Sequence, residues 1–600
     1  MEEKKIFTGA VILSVFLFFL NFVDIRLLFA PLTADYTAVL TVSSTITLNE
    51  TFNFKVKKDN KYSMLFRNWK VPIVFSGEKL NFPFILVNSV KSKKLWYVVD
   101  YKHRVYLKVP DKVAAAYCAK KAFDNEIGIM NEKLKKFPEG TYSLSAFYSV
   151  YPPVSTDGEF SHVNLKLADS HVYYPKVKIF LKDSGALIEK LYVHMVNYSI
   201  KKVDGGYLIS GTAPSNSLVE IEMILKGKKI SGFYRNVPDI ISLTERANRN
   251  VFVSVSKMVN KFILFISFIL PFGMVVYYWY FGKENFSTVP EFISYIPDKK
   301  KKPYIVNLLF SGNATSCDEN GFYATLLDLK RRRLIDLKET DEGILIEVLS
   351  DKVDDPYERA VLSFVLSFSD NVDGRKVLNL KSLNEKVKKF TEEKNLSLLK
   401  SMKERFDSIL HWSDGSVIYR YLDLTGYELF KSVAIPFMIF LVFFAVLNLV
   451  VANPLIDVYK VLISCGVLFF QLLIFILLPP QILGSWKGKR YREKLLWDGF
   501  RNFLSNLAMI KKYAPSDISI WKEWLVYATA LGVADKVERA MRELNISMPE
   551  VREERVLRAG FGGVYYEIGR GISSLTSGSS GSGGGFGAGG GFGGGGAGGR

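Results

Sequence analysis

Residues Phe262 to Gly282 read FILFISFILPFGMVVYYWYFG, a run without one charged side chain. A soluble helix keeps a polar stripe, whereas about 18 or more residues that are apolar on every side belong in hydrocarbon, so this segment reads as a transmembrane helix. Its end carries Tyr277, Tyr278, Trp279 and Tyr280, amphipathic rings of the kind that sit at the bilayer interface. Lys283 and the run Lys299 to Lys302 follow. The positive-inside rule then puts the chain after this span in the cytoplasm and the chain before it outside. Pro271 at mid-span cannot donate a backbone hydrogen bond, which predicts a kink.

Three further apolar runs fit the same scheme. Ser432 to Ala452 and Val461 to Leu478, with the short stretch Asn453-Pro454-Leu455-Ile456-Asp457 between them, read as a helical hairpin. Arg420 and Lys431 precede it and Lys487, Lys489, Arg490, Arg492 and Lys494 follow it, so both open ends face the cytoplasm, with Lys460 snorkelling at the outer turn. Ile6 to Val23 lies behind Lys4 and Lys5, the layout of a secretory signal or an uncleaved anchor. The exit sequence Leu28-Phe29-Ala30-Pro31 favours the anchor, because proline after the small residue is a poor cleavage context. Lys and Arg number 79 against 60 Asp and Glu, a net charge of +19, and the basic span flanks account for much of that excess without nucleic acid.

Ahead of Phe262 the apolar period changes to two. Tyr36, Ala38, Leu40, Val42, Ile46, Leu48, Phe52, Phe54 and Val56 share one parity, and the pattern returns around Val163, Val177 and Val219 with Pro152-Pro153, Gly205-Gly206 and Gly211 as turns. Half-buried antiparallel strands in one or two β-sandwiches are expected over residues 35 to 250, with Ala114 to Lys136 as a helical insert. His103, His162, His171 and His194 fall here at spacings that give no metal-ligand pattern, so no metal is assigned. The three cysteines, Cys118, Cys317 and Cys465, belong to three different compartments of this topology, which leaves no disulfide and no thiolate zinc site.

Behind the second span, Gly321 to Arg333 places Phe322, Leu326 and Leu329 at helical spacing, and Leu334 to Leu337 with Ile344 to Val348 flank Thr340-Asp341-Glu342-Gly343 as a hairpin. A helix followed by a hairpin is the core of a winged helix. Its basic end, Lys330, Arg331, Arg332 and Arg333, is the candidate contact for anionic lipid or nucleic acid; cations at a helix C-terminus also offset the macrodipole. HExxH, GxSxG, GxxxxGK[ST], kinase and EF-hand signatures are all missing from the sequence, so no catalytic residue, cofactor or small-molecule substrate is nominated. Asp351 to Asp355 and Glu392-Glu393 read as surface charge.

In this region the sequence resembles the YciQ-like predicted membrane proteins, the family carrying the domain of unknown function 2207. The resemblance rests on Ala324 to Leu329 with its arginine-rich helix end and hairpin, on Glu358 to Phe364, on Gly499 to Leu504, and on Leu525 to Val533, where Val526 stands in place of the family's usual proline. The glycine-rich ending is similar too. The resemblance implies architecture, because the family has no settled biochemical role.

The expected fold is a multidomain membrane protein. Its order is a signal anchor or signal peptide (1–34), an extracytoplasmic β-rich domain (35–255), a transmembrane helix (262–282), a cytoplasmic winged-helix-like domain (283–430), two transmembrane helices (432–452 and 461–478), a cytoplasmic helical region (484–568) and a disordered glycine-rich tail (569–600). The function expected is that of a non-enzymatic sensor or scaffold of the cell envelope, multi-pass in the plasma membrane, with lipid and a protein partner; the alternative is a membrane-tethered nucleic-acid-binding regulator. A transporter is disfavoured because hardly any polar side chains stand in the spans to line a path.

Overall fold

The computed structural model describes every residue except Met1, Ser76, Ser184, Lys228, Lys229, Asn285, Phe286, Asn313, Asp341, Glu342, Asp373, Ala514, Pro515 and 577–593. The chain divides into two compact units: a β-rich one that includes residues 15–269, 438–471 and 594–600, and a helical one that includes 270–437 and 472–576.

In the β-rich unit the period-two residues point inward as expected: Tyr36, Ala38, Leu40, Ile46, Leu48, Phe52, Phe54 and Val56 are all buried. They belong to an eight-stranded sheet in which Leu32–Thr41 lies between Ile46–Val56, antiparallel to it, and Tyr174–Lys182, parallel to it. The sheet is therefore mixed, not purely antiparallel. A five-stranded sheet centred on Phe160–Ala168 and another containing Met64–Trp69, Glu126–Met130 and Leu95–Val99 contribute to the same apolar cluster, so the three sheets share one core. The helical insert is shorter than expected. The helix runs only over Lys112–Lys121, capped by Asp111, and Glu126–Met130 is a strand. Gly128 lets that strand pass over the Tyr97 ring, where a Cβ would collide with the hydroxyl. The last strand before the second span ends at Asn236, and helix begins at Ile240, earlier than the boundary expected at 255.

The glycine-rich tail also departs from expectation. The helix Pro549–Thr576 carries through the first residues assigned to it, and Gly595–Gly599 forms a strand beside Met64–Trp69. Phe586 and Phe592 lie outside the described residues. Glycine buries little side-chain area, but its amides and carbonyls bond as well as any others, and the compositional argument for disorder leaves that out.

Among the described residues four helices are long and apolar enough to cross a membrane: Glu3–Phe22, Ile240–Phe281, Thr425–Val451 and Val458–Ile476. Four of their polar side chains are engaged with one another. Ser256 Oγ donates to Asn448 Oδ1 (2.5 Å), Ser267 Oγ to Gln471 Oε1 (2.7 Å), and Gln471 Nε2 to the Ser267 carbonyl (3.1 Å), all buried. Just beyond the first of these helices the Arg26 guanidinium forks onto both Asp457 carboxylate oxygens (2.8 and 2.9 Å), bonds Asp24, and stacks 4.1 Å over the Tyr459 ring.

In the helical unit the expected helix is Glu319–Arg331, started by Asp318, whose side chain accepts from Asn320 N. Phe322, Leu326 and Leu329 are buried, and they meet Ile346, Phe364, Leu525 and Phe561 in one cluster. The hairpin is present as Ile335–Thr340 and Gly343–Val348, but it continues into Arg375–Asn379 and Asp370–Val372, a four-stranded antiparallel sheet. Phe310 stacks on Trp486 and Trp497, each 5.7 Å away, which ties the residues after the last span to the helix Pro303–Phe310.

Candidate functional site

The basic end of Glu319–Arg331 is held by carboxylates from three other helices. Lys330 Nζ pairs with Glu553, Arg331 with Asp328 (2.8 Å) and Glu523 (3.7 Å), and Arg332 with Asp328 (2.9 Å) and Glu358 (2.5 Å). Glu358, Glu523 and Glu553 stand on the helices Pro356–Ser367, Ile518–Ala530 and Pro549–Thr576. Burial works against the Arg332 charge, yet Glu358 and Asp328 outweigh it and raise its pKa; burial pushes the Glu553 carboxyl up against the opposing pull of Lys330. Three of the four cations therefore brace the helical unit.

Arg333 differs. It turns the chain in the left-handed region (φ 57°), is exposed, and has no ion pair among the described residues. It borders a cleft of about 450 Å³ with Lys330, Arg331 and Lys522, floored by Leu525 and Val526. Lys522 is paired with Glu550 at 2.6 Å. An anion entering the cleft would meet one uncommitted guanidinium, not a row of four.

The histidines and acids of the β-rich unit are brought closer than their spacing suggested. His162 Nε2 and His194 Nε2 lie 2.6 and 2.9 Å from the two oxygens of Glu222, which also accepts from Asn248 (2.7 Å). Burial raises the Glu222 pKa, but these bonds prevail and hold it at about 2. Among the described residues no group of three or more His, Cys, Asp or Glu is placed to hold a metal. The other constellation missed in the sequence is Arg67 with Glu50, 3.2 Å apart and both fully buried, with Tyr36 OH on Glu50 (2.7 Å) and Trp69 under the guanidinium (3.5 Å). The signal for it was present: Glu50 shares the parity of Leu48 and Phe52, and Arg67 that of Leu65 and Trp69, so each strand carries a charge on its apolar face.

Four apolar helices, a β-rich domain ahead of the second and a folded helical unit behind it define a membrane protein with substantial domains beside its spans. The chain belongs to the family described as predicted membrane protein (DUF2207): residues 32–225 match its N-terminal domain and 289–541 its C-terminal domain. No curated protein matches. Among solved structures, a two-domain M1 zinc metallopeptidase bound to L-tryptophan aligns at 11% identity over 33% of this chain and 43% of its own, with a TM-score of 0.18. An M1 zinc metallopeptidase from Deinococcus radiodurans aligns at 12% identity over 33% and 42%, also with a TM-score of 0.18. The chain spans less than half the length of these structures, and neither fold nor chemistry is carried over from them.

Proposed function

We propose that this chain is a non-enzymatic scaffold or sensor of the plasma membrane, with the β-rich domain outside the cell and the helical unit in the cytoplasm. The sidedness follows the lysines and arginines after Gly282 and around the hairpin of the last two spans. The observation that carries the role is the bonding of Ser256 to Asn448 and of Ser267 to Gln471. Polar groups in hydrocarbon either line a path or join helices, and these four join helices, as the membrane bundle of a scaffold requires. The nucleic-acid reading is weakened by the carboxylates that engage Lys330, Arg331 and Arg332.

Crosslinked co-purification from native membranes tests the proposal. It expects a partner recovered at near-stoichiometric yield, and purified protein that leaves a DNA mobility unchanged at low salt. A salt-sensitive DNA shift that Arg333→Ala abolishes would replace the scaffold with the regulator.

A further inference from the structure

The strand Gly595–Gly599 does not lie loosely on a sheet edge; it fills a slot with walls on both sides. On one side it runs antiparallel to Met64–Trp69, Gly595 opposite Trp69 and Gly599 opposite Leu65. On the other, the amides of Asp169 and Ser170 donate to the Gly595 carbonyl (2.9 and 3.1 Å), Val172 N donates to the Ala597 carbonyl (3.0 Å), and Gly594 N donates to the Lys166 carbonyl (3.0 Å). Side chains complete the backbone recognition. Gly595 N donates to Asp169 Oδ1 (2.8 Å), Gly596 N to Asn68 Oδ1 (2.9 Å), and Ala597 N to the Tyr174 hydroxyl (3.0 Å).

The slot reads sequence by exclusion. A Cβ at position 596 would stand 2.5 Å from the Ser170 carbonyl oxygen, and one at 599 would stand 2.7 Å from the Tyr62 ring, while 594 and 595 adopt φ of 66° and 85°. Position 597 accepts a methyl, which is fully buried, and a Cβ at 598 would stand 3.0 Å from the tip of the Phe66 ring. The glycines end at a cation site. The Arg600 guanidinium lies 4.3 Å from the Phe66 ring and 4.4 Å from the Phe123 ring, reaches Glu126 Oε2 at 2.5 Å, and also bonds the Lys121 carbonyl. Glu126 is a carboxylate with no exposed side-chain surface, and a cation arriving there relieves a buried charge. The Arg600 carbonyl accepts from Ser63 N (2.6 Å), Met64 N (3.0 Å) and Ser63 Oγ (3.1 Å).

We propose that the β-rich domain carries a receptor slot for an extended glycine-rich polypeptide strand followed by an arginine, bound by strand addition and supplied by another chain on the domain's own side of the membrane. The seated Gly594–Arg600 segment defines the chemistry. Its source is assigned by parity: among the described residues three candidate spans lie between Asn236 and Gly594, and an odd number of crossings puts this chain's own segment on the opposite face. That assignment rests on the sidedness proposed above; the slot does not.

The test uses a fluorescein-labelled peptide of the Gly594–Arg600 sequence, read by anisotropy. The receptors are the chain ending at Thr576 and the full chain carrying G596V, each in detergent, so that the failure of one to fold leaves the other. Saturable binding is expected, at least tenfold weaker for peptides carrying valine for Gly596 or alanine for Arg600. Absence of saturable binding to both receptors, or equal binding of all three peptides, would overturn the slot. The unaltered full chain in sealed proteoliposomes, with peptide added outside, should bind as tightly as the shortened chain. Binding to the shortened chain alone would overturn the assignment to another chain in favour of the protein's own tail, and would refute the span parity, not the slot.

Discussion

Arg67→Met removes the cation from the core of the β-rich domain and leaves its shape nearly filled. Glu50 is then a carboxylate with no exposed surface and no cation beside it, held by neutral tyrosine hydroxyls such as that of Tyr36. Breaking a buried pair from one side costs about 3 to 5 kcal/mol, because the remaining charge is uncompensated. Every 1.4 kcal/mol is about tenfold in the unfolding equilibrium, so the open population should rise by roughly two to three and a half orders of magnitude. Cys118 reports it. This thiol is fully buried in the same domain, and burial pushes its pKa up to about 12, so it reacts only when the domain opens. The assay is the rate of alkylation of the Cys118 peptide in the full chain in detergent, followed by mass spectrometry. Replacing Glu50 by leucine in the Arg67→Met background removes the orphaned charge as well and should recover most of the loss. A less than tenfold change in the single variant, or a double variant that labels faster than the single one, would refute the claim that Arg67 and Glu50 stabilise the core as a pair.

In the helical unit, with Cys317 as the reporter, Leu329→Asp should destabilise by more than about 4 kcal/mol by burying an unpaired carboxylate. Arg332→Ala should cost only about 1 to 2 kcal/mol, because Glu358 keeps Lys302 at 2.6 Å; equal labelling rates in the two variants would contradict this. Acid acts on Glu222. Its folded pKa of about 2 lies below the ordinary 4.5, so the stability it contributes is present above pH 4.5 and lost as pH falls toward 2. The urea midpoint for unfolding of the β-rich domain, followed by tryptophan fluorescence of the full chain in detergent, should fall as pH drops across that window, and Glu222→Gln should flatten the fall. For sidedness, Ser199→Cys should react with an impermeant thiol reagent in intact cells and Ser397→Cys should not, both positions being exposed in the structure; labelling of Ser397→Cys alone would invert the topology.

The spans and the strand parity were legible because both depend on side-chain polarity counted along the chain, as Phe262 to Gly282 and Tyr36 to Val56 illustrate. What escaped reading was non-local. The carboxylates that engage Lys330 to Arg332 come from positions 358, 523 and 553, and no local pattern links them to the run. The strand Glu126–Met130 falls inside the helix expected from the sequence because the glycine that its partner Tyr97 demands has no meaning until the pairing is known. The pairing of Gly595–Gly599 with Met64–Trp69 escaped for a different reason: it rests on main-chain hydrogen bonds and on the absence of side chains, and hydrophobicity measures neither.

The fork of Arg26 onto Asp457 bears on how the protein matures. A peptidase cutting after Ala30 would carry away the guanidinium that lies on Tyr459 and would leave Asp457, whose side chain is only 6% exposed, without its counter-ion. The leading helix would then be more than an address label: it delivers a cation to the turn of a hairpin more than four hundred residues later in the chain. Synthesis makes that cation long before the hairpin that receives it, so a segment made early is completed by one made late.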